Sequence, residues 1–198
     1  MSTAPVPLVR SALRPALVLL AVLTVLTGVV YPLAVTGIAQ LLFPRAAAGS
    51  LVVRGGHALG SALIGQSFSD PGHFWSRPSA TTPQPYNGTG STGSNLGPLN
   101  PALLDAVKAR IATLRSADPG NSAPVPVDLV TASASGLDPH ISVAAAQYQA
   151  ARVARARSLP EARVRALIDA HSEGRLLGII GEPRVNVLEL NLALDSLK

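Results

Sequence analysis

Cysteine is absent from the 198 residues. That excludes a disulfide framework and any thiolate metal site, so folding proceeds without covalent cross-links. Aromatic residues make up only 4%, too few for the stacked platforms on which single-stranded nucleic acid rests. Charged side chains are also sparse, at 14%. Their formal balance of +5 falls to +3 once Arg10 and Arg14 are set aside, because 14 basic residues then face 11 acidic ones from Arg45 onward. An excess that small does not mark a nucleic-acid surface and serves solubility. No internal repeat is evident, and the length suits one modest domain plus an anchor.

What the sequence does contain is one long apolar run. From Pro15 to Pro44 there are 30 residues without a charge, bracketed by Arg14 and Arg45, whereas about 20 suffice to cross a bilayer as a helix. Between Leu17 and Phe43, 16 residues are Leu, Ile, Val or Phe, each favouring insertion by roughly 0.3 to 0.6 kcal/mol at a span centre. Residues 15–43 are therefore expected to form one transmembrane helix. Pro15 suits its first turn, and Pro32 should bend it. Thr24, Gly28, Thr36 and Gly37 are of the kind that let another helix approach in lipid. A cleaved signal peptide, with Ala46-Ala47-Ala48 as its processing site, is the rival reading. Secretory apolar regions run about 7 to 15 residues, and this run is twice as long. With Arg10 and Arg14 at its start, residues 1–14 are expected in the cytoplasm and residues 44–198 outside.

The rest reads as mixed α and β. Leu51-Val52-Val53 and Ala58 to Ile64 flank Gly55-Gly56, the signature of a β-hairpin. In residues 78–101, 19 of 24 are Gly, Pro, Ser, Thr or Asn, which predicts a long loop; composition leaves open whether it is a flexible linker or a functional loop. Asn100-Pro101 opens a helix to about Arg115, with Leu103, Leu104, Val107, Ile111 and Leu114 as its core stripe. Asp128 to Thr131 reads as a short strand or turn. A second helix runs from about Ser142 to Arg157, capped by Ser142 or Asp138. A third opens at Pro160-Glu161 and ends near Ala170. Leu176 to Ile180 reads as a short buried strand, and Asn186 with Glu189 as the capping box of a last helix through Leu197.

Motifs of autonomous chemistry are missing. The run Gly88 to Asn95 has the glycine density of a phosphate cradle without the Gly-Lys-Ser/Thr ending. His57, His73, His140 and His171 show no ligand spacing, so no metal site is expected. No Gly-x-Ser-x-Gly elbow appears. Asp138-Pro139-His140 could pair an acid with a base, but a turn capping the following helix explains the same residues. Arg152, Arg155, Arg157, Arg163 and Arg165 form the basic cluster, read as a solvated face, with an acidic lipid headgroup or acidic partner as the functional alternative.

Several long blocks carry a specific resemblance. They are Ile64 to Phe68, Phe74 to Ala80, Gly93 to Pro98, Asp128 to Thr131, Ser135 to Ser142 and Gly181 to Asn191. In order and spacing the chain resembles the C subunit of the Kdp potassium-transporting ATPase over nearly its whole length. Two departures occur: the family's glycine pair before Ser94 is here Thr92-Gly93, and its Ser-Gly-Ser-Gly run is Ser133-Ala134-Ser135-Gly136. The resemblance implies an α+β chain with one N-terminal membrane helix and a soluble domain, in the cell membrane. It implies a non-catalytic accessory subunit of an ATP-driven potassium uptake complex, acting as a catalytic chaperone of the ATPase subunit or as a cap on the channel-like subunit. The implied partners are the channel-like subunit, the P-type ATPase subunit, a small peptide subunit and membrane lipid. ATP is implied as a ligand through the ATPase subunit, and whether the soluble domain touches it stays open. The alternative is a membrane-anchored enzyme or nucleotide-binding module acting alone. Candidate partner or nucleotide contacts from the matching blocks are Gln66, Ser67, Arg77, Ser94, Asn95, Ser135, Gly136, Asp138, His140 and Arg184.

Overall fold

The structure is a computed structural model of the chain and describes residues 8–197. Positions 1–7 of the N-terminal segment expected in the cytoplasm lie outside the described residues. Two compact units divide at Ser50 and Leu51.

The first unit is built from the apolar run. Helix α1 (Leu8–Val25), a π-helical turn (Leu26–Val30) and α2 (Tyr31–Leu42) follow without a break, and α3 (Pro44–Ala47) adds a short turn. Within them Ala12–Leu42 is 31 residues long, and its apolar 18-residue stretch has mean hydropathy 2.4 with none of it buried. A helix of that length and composition is long and apolar enough to cross a membrane. The π turn has an identifiable cause. Pro32 cannot donate, and its ring crowds the carbonyl one turn back. The backbone widens just before it, so that Tyr31 N–H bonds to Leu26 O, five residues back. The π turn lies directly before Pro32, the residue expected to bend the helix. Pro15 differs from expectation: α1 begins at Leu8, which places Pro15 inside the helix and not in its first turn. One missing N–H is tolerated where the surrounding backbone stays paired.

The second unit begins with the expected hairpin. Strand β1 (Leu51–Arg54) pairs antiparallel with β2 (His57–Ser61). Gly55 and Gly56 join them with φ of 58° and 79°, the left-handed pair that a two-residue turn demands and glycine supplies at no steric cost.

Helix α4 (Pro101–Ala117) starts where Asn100 Oδ1 accepts the Ala102 N–H, and α5 (Val143–Ala156) where Ser142 Oγ accepts the Ala145 N–H. Helix α6 (Glu161–Ala170) follows Pro160, and α7 (Val187–Leu194) is capped by Asn186 Oδ1 on Glu189 N–H. Between them lie three short strands, β3 (His140–Ser142), β4 (Ser172–Glu173) and β5 (Arg184–Asn186), antiparallel in the order β3-β5-β4. Ile141 faces Val185 in the register and both are buried. The core adds Phe74, Val153, Val164, Ile168, Leu190 and Leu194, all at 0% exposure. Ala145, Ala146 and Ala150 let α5 approach this core closely.

Asp128 to Thr131, expected as a short strand or turn, takes the turn form, with Val127–Leu129 a 3-10 turn. Three expectations are corrected. The α4 stripe is only partly core: Leu114 is buried, whereas Leu104 is 48% exposed, because the helix packs along one edge of its stripe. Leu176 to Ile180 is no buried strand, for all four of its aliphatic side chains face solvent. Finally, the arginines of α5 and of the residue that ends it are not a uniformly solvated face. Arg152 is buried over the Trp75 ring, 4.5 Å from its centroid, and Arg157 bonds to Gly72 O and Asp195.

Candidate functional site

The long connection between β2 and α4 has no helix and no strand of its own, so its backbone must find partners elsewhere. Side-chain amides provide them. Asn191 on α7 accepts Phe74 N–H at 2.8 Å and donates to Phe74 O at 3.0 Å. Gln149 on α5 treats Trp75 the same way, at 2.8 and 3.1 Å. Each carboxamide thus imitates a neighbouring strand. Arg152 adds bonds to Pro71 O, to His73 O at 3.1 Å and to Gln149 Oε1 at 2.6 Å. Burial lowers its pKa to about 10, and it remains a cation.

Further along, Ser79 and Thr81 organise the glycine-rich stretch. Ser79 Oγ donates to Gly136 O at 2.7 Å and accepts Tyr86 N–H at 2.9 Å. Thr81 Oγ1 donates to Gln84 O at 2.8 Å and accepts Asn87 N–H at 3.0 Å. The Tyr86 hydroxyl donates to Arg77 O, and burial pushes its pKa up. The stretch then runs beside residues 134–138: Thr92 N–H and Ser91 Oγ both bond to Ser135 O at 3.0 Å, and Gly65 N–H bonds to Leu137 O at 2.9 Å. Gly136 has φ 66°, and a Cβ there would lie 2.5 Å from Thr92 O. The two glycine-bearing loops therefore spend their backbone on each other along one seam.

Beside the seam lies an open cleft of about 560 Å3, lined among others by Arg77, Asp128, Asp138, His140, Glu182 and Arg184. Its lining includes the Arg77 to Asp138 ion pair, 2.8 Å long. Asp138 Oδ1 also accepts His140 N–H at 3.0 Å and stands 3.4 Å from His140 Nδ1. Burial would raise the carboxyl pKa, but the hydrogen bonds from His140 and Arg77, with the Arg77 charge, outweigh it and bring it down to about 2. Asp138 is thus a fixed anion at neutral pH, an acceptor and not a proton donor. It does not cap α5, because Ser142 holds that position. Asp128 supports the cap by accepting Ser142 N–H at 2.7 Å and Ser142 Oγ at 3.2 Å. On the rim, Arg184 pairs with Glu173 at 2.9 Å and Glu182 with Arg175.

Of the sequence candidates, Arg77, Asp138, His140 and Arg184 share this cleft. Ser135 and Gly136 belong to the seam. Gln66 and Ser67 line a different hollow with Tyr86, where Gln66 Nε2 bonds to Leu59 O at 2.7 Å. Ser94 and Asn95 are exposed and line neither hollow. Sequence reasoning missed Asp128 and Glu182 at the cleft and Ser79, Thr81, Gln149 and Asn191 as organisers. Gln149 and Asn191 do carry a signal, namely an amide on the apolar face of a helix. The arrangement suits recognition by paired charges and shape. Ser142, the cleft serine, is already spent on Asp128 and the helix cap.

The sequence matches the family model described as KdpC, the K+-transporting ATPase c chain, over residues 13–196. It is 71% identical to the potassium-transporting ATPase KdpC subunit of Polaromonas naphthalenivorans over 189 residues, which cover 96% of each chain. The subunit of the same name in Variovorax paradoxus is 70% identical over 187 residues, 94% of this chain and 97% of that one. That of Sorangium cellulosum is 66% identical over 184 residues, 93% and 97% respectively.

Proposed function

This chain belongs to the KdpC family of K+-transporting ATPase c chains, and from that membership we propose that it is the non-catalytic, membrane-anchored accessory subunit of an ATP-driven potassium uptake complex. The observation that carries the proposal is the extent of the match, residues 13–196, which includes both the apolar helix and the small α+β domain. Catalysis then resides in a partner subunit. The polar groups of the cleft support this division, since Asp138, Ser142 and Asp128 are committed to internal bonds. The exposed ion pairs on its rim offer a surface for contact.

With Arg14 before the span the N-terminus lies in the cytoplasm and the domain outside, away from cytoplasmic ATP. Assembly or capping of the channel-like subunit is then its role, and nucleotide is reached only through the ATPase subunit. The seam around Ser135 and Gly136 and the cleft around Arg77, Asp138, His140 and Arg184 are the contact surfaces.

Affinity purification of the tagged chain, co-expressed with its neighbouring genes, tests the reading together with a potassium-stimulated ATPase assay. Recovery of a pump that loses activity when this chain is omitted supports it. Recovery of the chain alone, beside a fully active pump lacking it, overturns it. Orientation has its own test, since the sequence has no cysteine. A single Ala102→Cys change on exposed α4 should react with a membrane-impermeant thiol reagent in intact cells, and protection until lysis would place the domain inside.

A further inference from the structure

The segment between β4 and β5 breaks the ordinary pattern of a soluble surface. Leu176, Leu177, Ile179 and Ile180 are 66, 82, 77 and 57% exposed. They sit on one tight turn, closed by Leu176 N–H to Ile180 O at 2.9 Å and Ile180 N–H to Leu176 O at 3.0 Å. At its tip Leu177 has φ 54° beside Gly178 at 78°, a left-handed backbone that costs a leucine conformational energy. The base is clasped by two ion pairs. Arg175 Nη2 reaches both carboxylate oxygens of Glu182, at 3.0 and 2.9 Å, and Arg184 Nε reaches Glu173 at 2.9 Å. The result is a preset finger that displays four aliphatic side chains, the arrangement of a contact surface.

Its collar indicates what covers it. Residues 172–184 carry two arginines and two glutamates, paired one to one, and no aromatic residue. A membrane-surface anchor joins an apolar tip to unpaired basic residues and to Trp or Tyr, and neither is present in this segment. A neutral collar around an aliphatic tip complements an uncharged apolar socket on a protein. The finger is also continuous with the cleft, because Glu182, Pro183 and Arg184 line it.

We propose that Leu176 to Ile180 is a docking finger that seats in an apolar socket on another subunit of the K+-transporting ATPase, with the adjoining cleft receiving polar groups of the same partner. This inference rests on the subunit reading above and identifies the contact through which it operates. Pre-ordering of the turn lowers the entropy lost on docking.

The test uses the full-length chain co-expressed with the other subunits. A photoactivatable benzophenone amino acid at position 177 reports what touches the tip. In parallel, Leu177→Asn/Ile179→Thr removes the apolar surface while asparagine accepts the left-handed backbone and threonine keeps the β-branch. The expected results are a cross-link to another subunit and an association about tenfold weaker or worse for the double variant, with an unchanged thermal melt. A cross-link to lipid or to a second copy of the chain overturns the proposal, as does full recovery of the complex from the variant. If the variant melts early, the cross-link alone decides. Wild-type chain that recovers no other subunit would defeat the subunit reading itself, whereas normal wild-type recovery with equal variant recovery defeats only the finger.

Discussion

Replacing Asp138 with asparagine keeps the shape of the side chain and removes the charge that Arg77 and His140 hold in place. The carboxyl pKa falls from 3.8 to about 2 on folding, a difference that corresponds to about 2 kcal/mol of stability at pH 7. With the side chain 29% exposed, solvent screening takes part of that sum. Because the folded pKa is depressed, the contribution is fully present above the unfolded value. It is lost as pH falls through the folded one, shrinking to roughly a third by about pH 2.5. Asp138→Asn should therefore lower Tm by about 4 to 8 °C near neutrality, and the gap to the wild type should close in acid. Urea titration of the full chain in detergent, followed by fluorescence of its single tryptophan, Trp75, measures this directly. A loss below about 0.5 kcal/mol at pH 7, or a gap that does not narrow toward pH 2.5, would refute the electrostatic account. Unchanged stability with lost potassium-stimulated ATPase activity would instead make Asp138 a contact with a partner.

Leu26→Arg places a charge in the π turn of the span and should cost about 2.5 to 3.5 kcal/mol of insertion, seen as loss of the chain from the membrane fraction; unchanged recovery would deny that this helix anchors it. Gly136→Ala forces a Cβ to within 2.5 Å of Thr92 O and 2.7 Å of Thr81 Cγ2 at a φ of 66°. It should cost more than about 1 kcal/mol and speed limited proteolysis between Gly88 and Asn95; equal cleavage rates would show that the seam does not order the loop. Arg152→Lys cannot bond two carbonyls and cover Trp75 at once, and should cost about 2 kcal/mol or more with a red shift in Trp75 emission. A melt and spectrum like the wild type's would show that a point charge suffices there.

Local chemistry was readable wherever one or two residues decide the backbone. Gly55-Gly56 specified the hairpin, Asn100-Pro101, Ser142 and Asn186 marked helix starts, and an uncharged run long enough to cross lipid implied the span. Each rests on φ preference, a nearby side-chain oxygen or transfer free energy, none of which needs a tertiary partner. The resemblance was readable for the same reason, since its blocks are contiguous. The α+β class followed from those signals, whereas the three-residue strands β3 and β5 escaped notice because their pairing joins residues far apart in the chain.

The functional surface was read less completely. Arg77, Asp138, His140 and Arg184 were candidates, but their meeting in one cleft depends on contacts from Arg77 to Asp138 across 61 residues. Asp138 looked like a helix cap because Asp before Pro often is, until the Arg77 guanidinium claimed its carboxylate. The run from Leu176 to Ile180 read as a buried strand because aliphatic composition alone does not distinguish a core strand from a displayed finger. Burial is a property of what packs against a segment, and the glycines and ion pairs flanking this one turn it toward solvent. Arg152 on α5 and Arg157 at its end show the converse. Their charge predicted exposure, yet the carbonyls of Pro71, Gly72 and His73 and the ring of Trp75 draw Arg152 and Arg157 inward, a partnership that exists only once the long connection has folded back over α5.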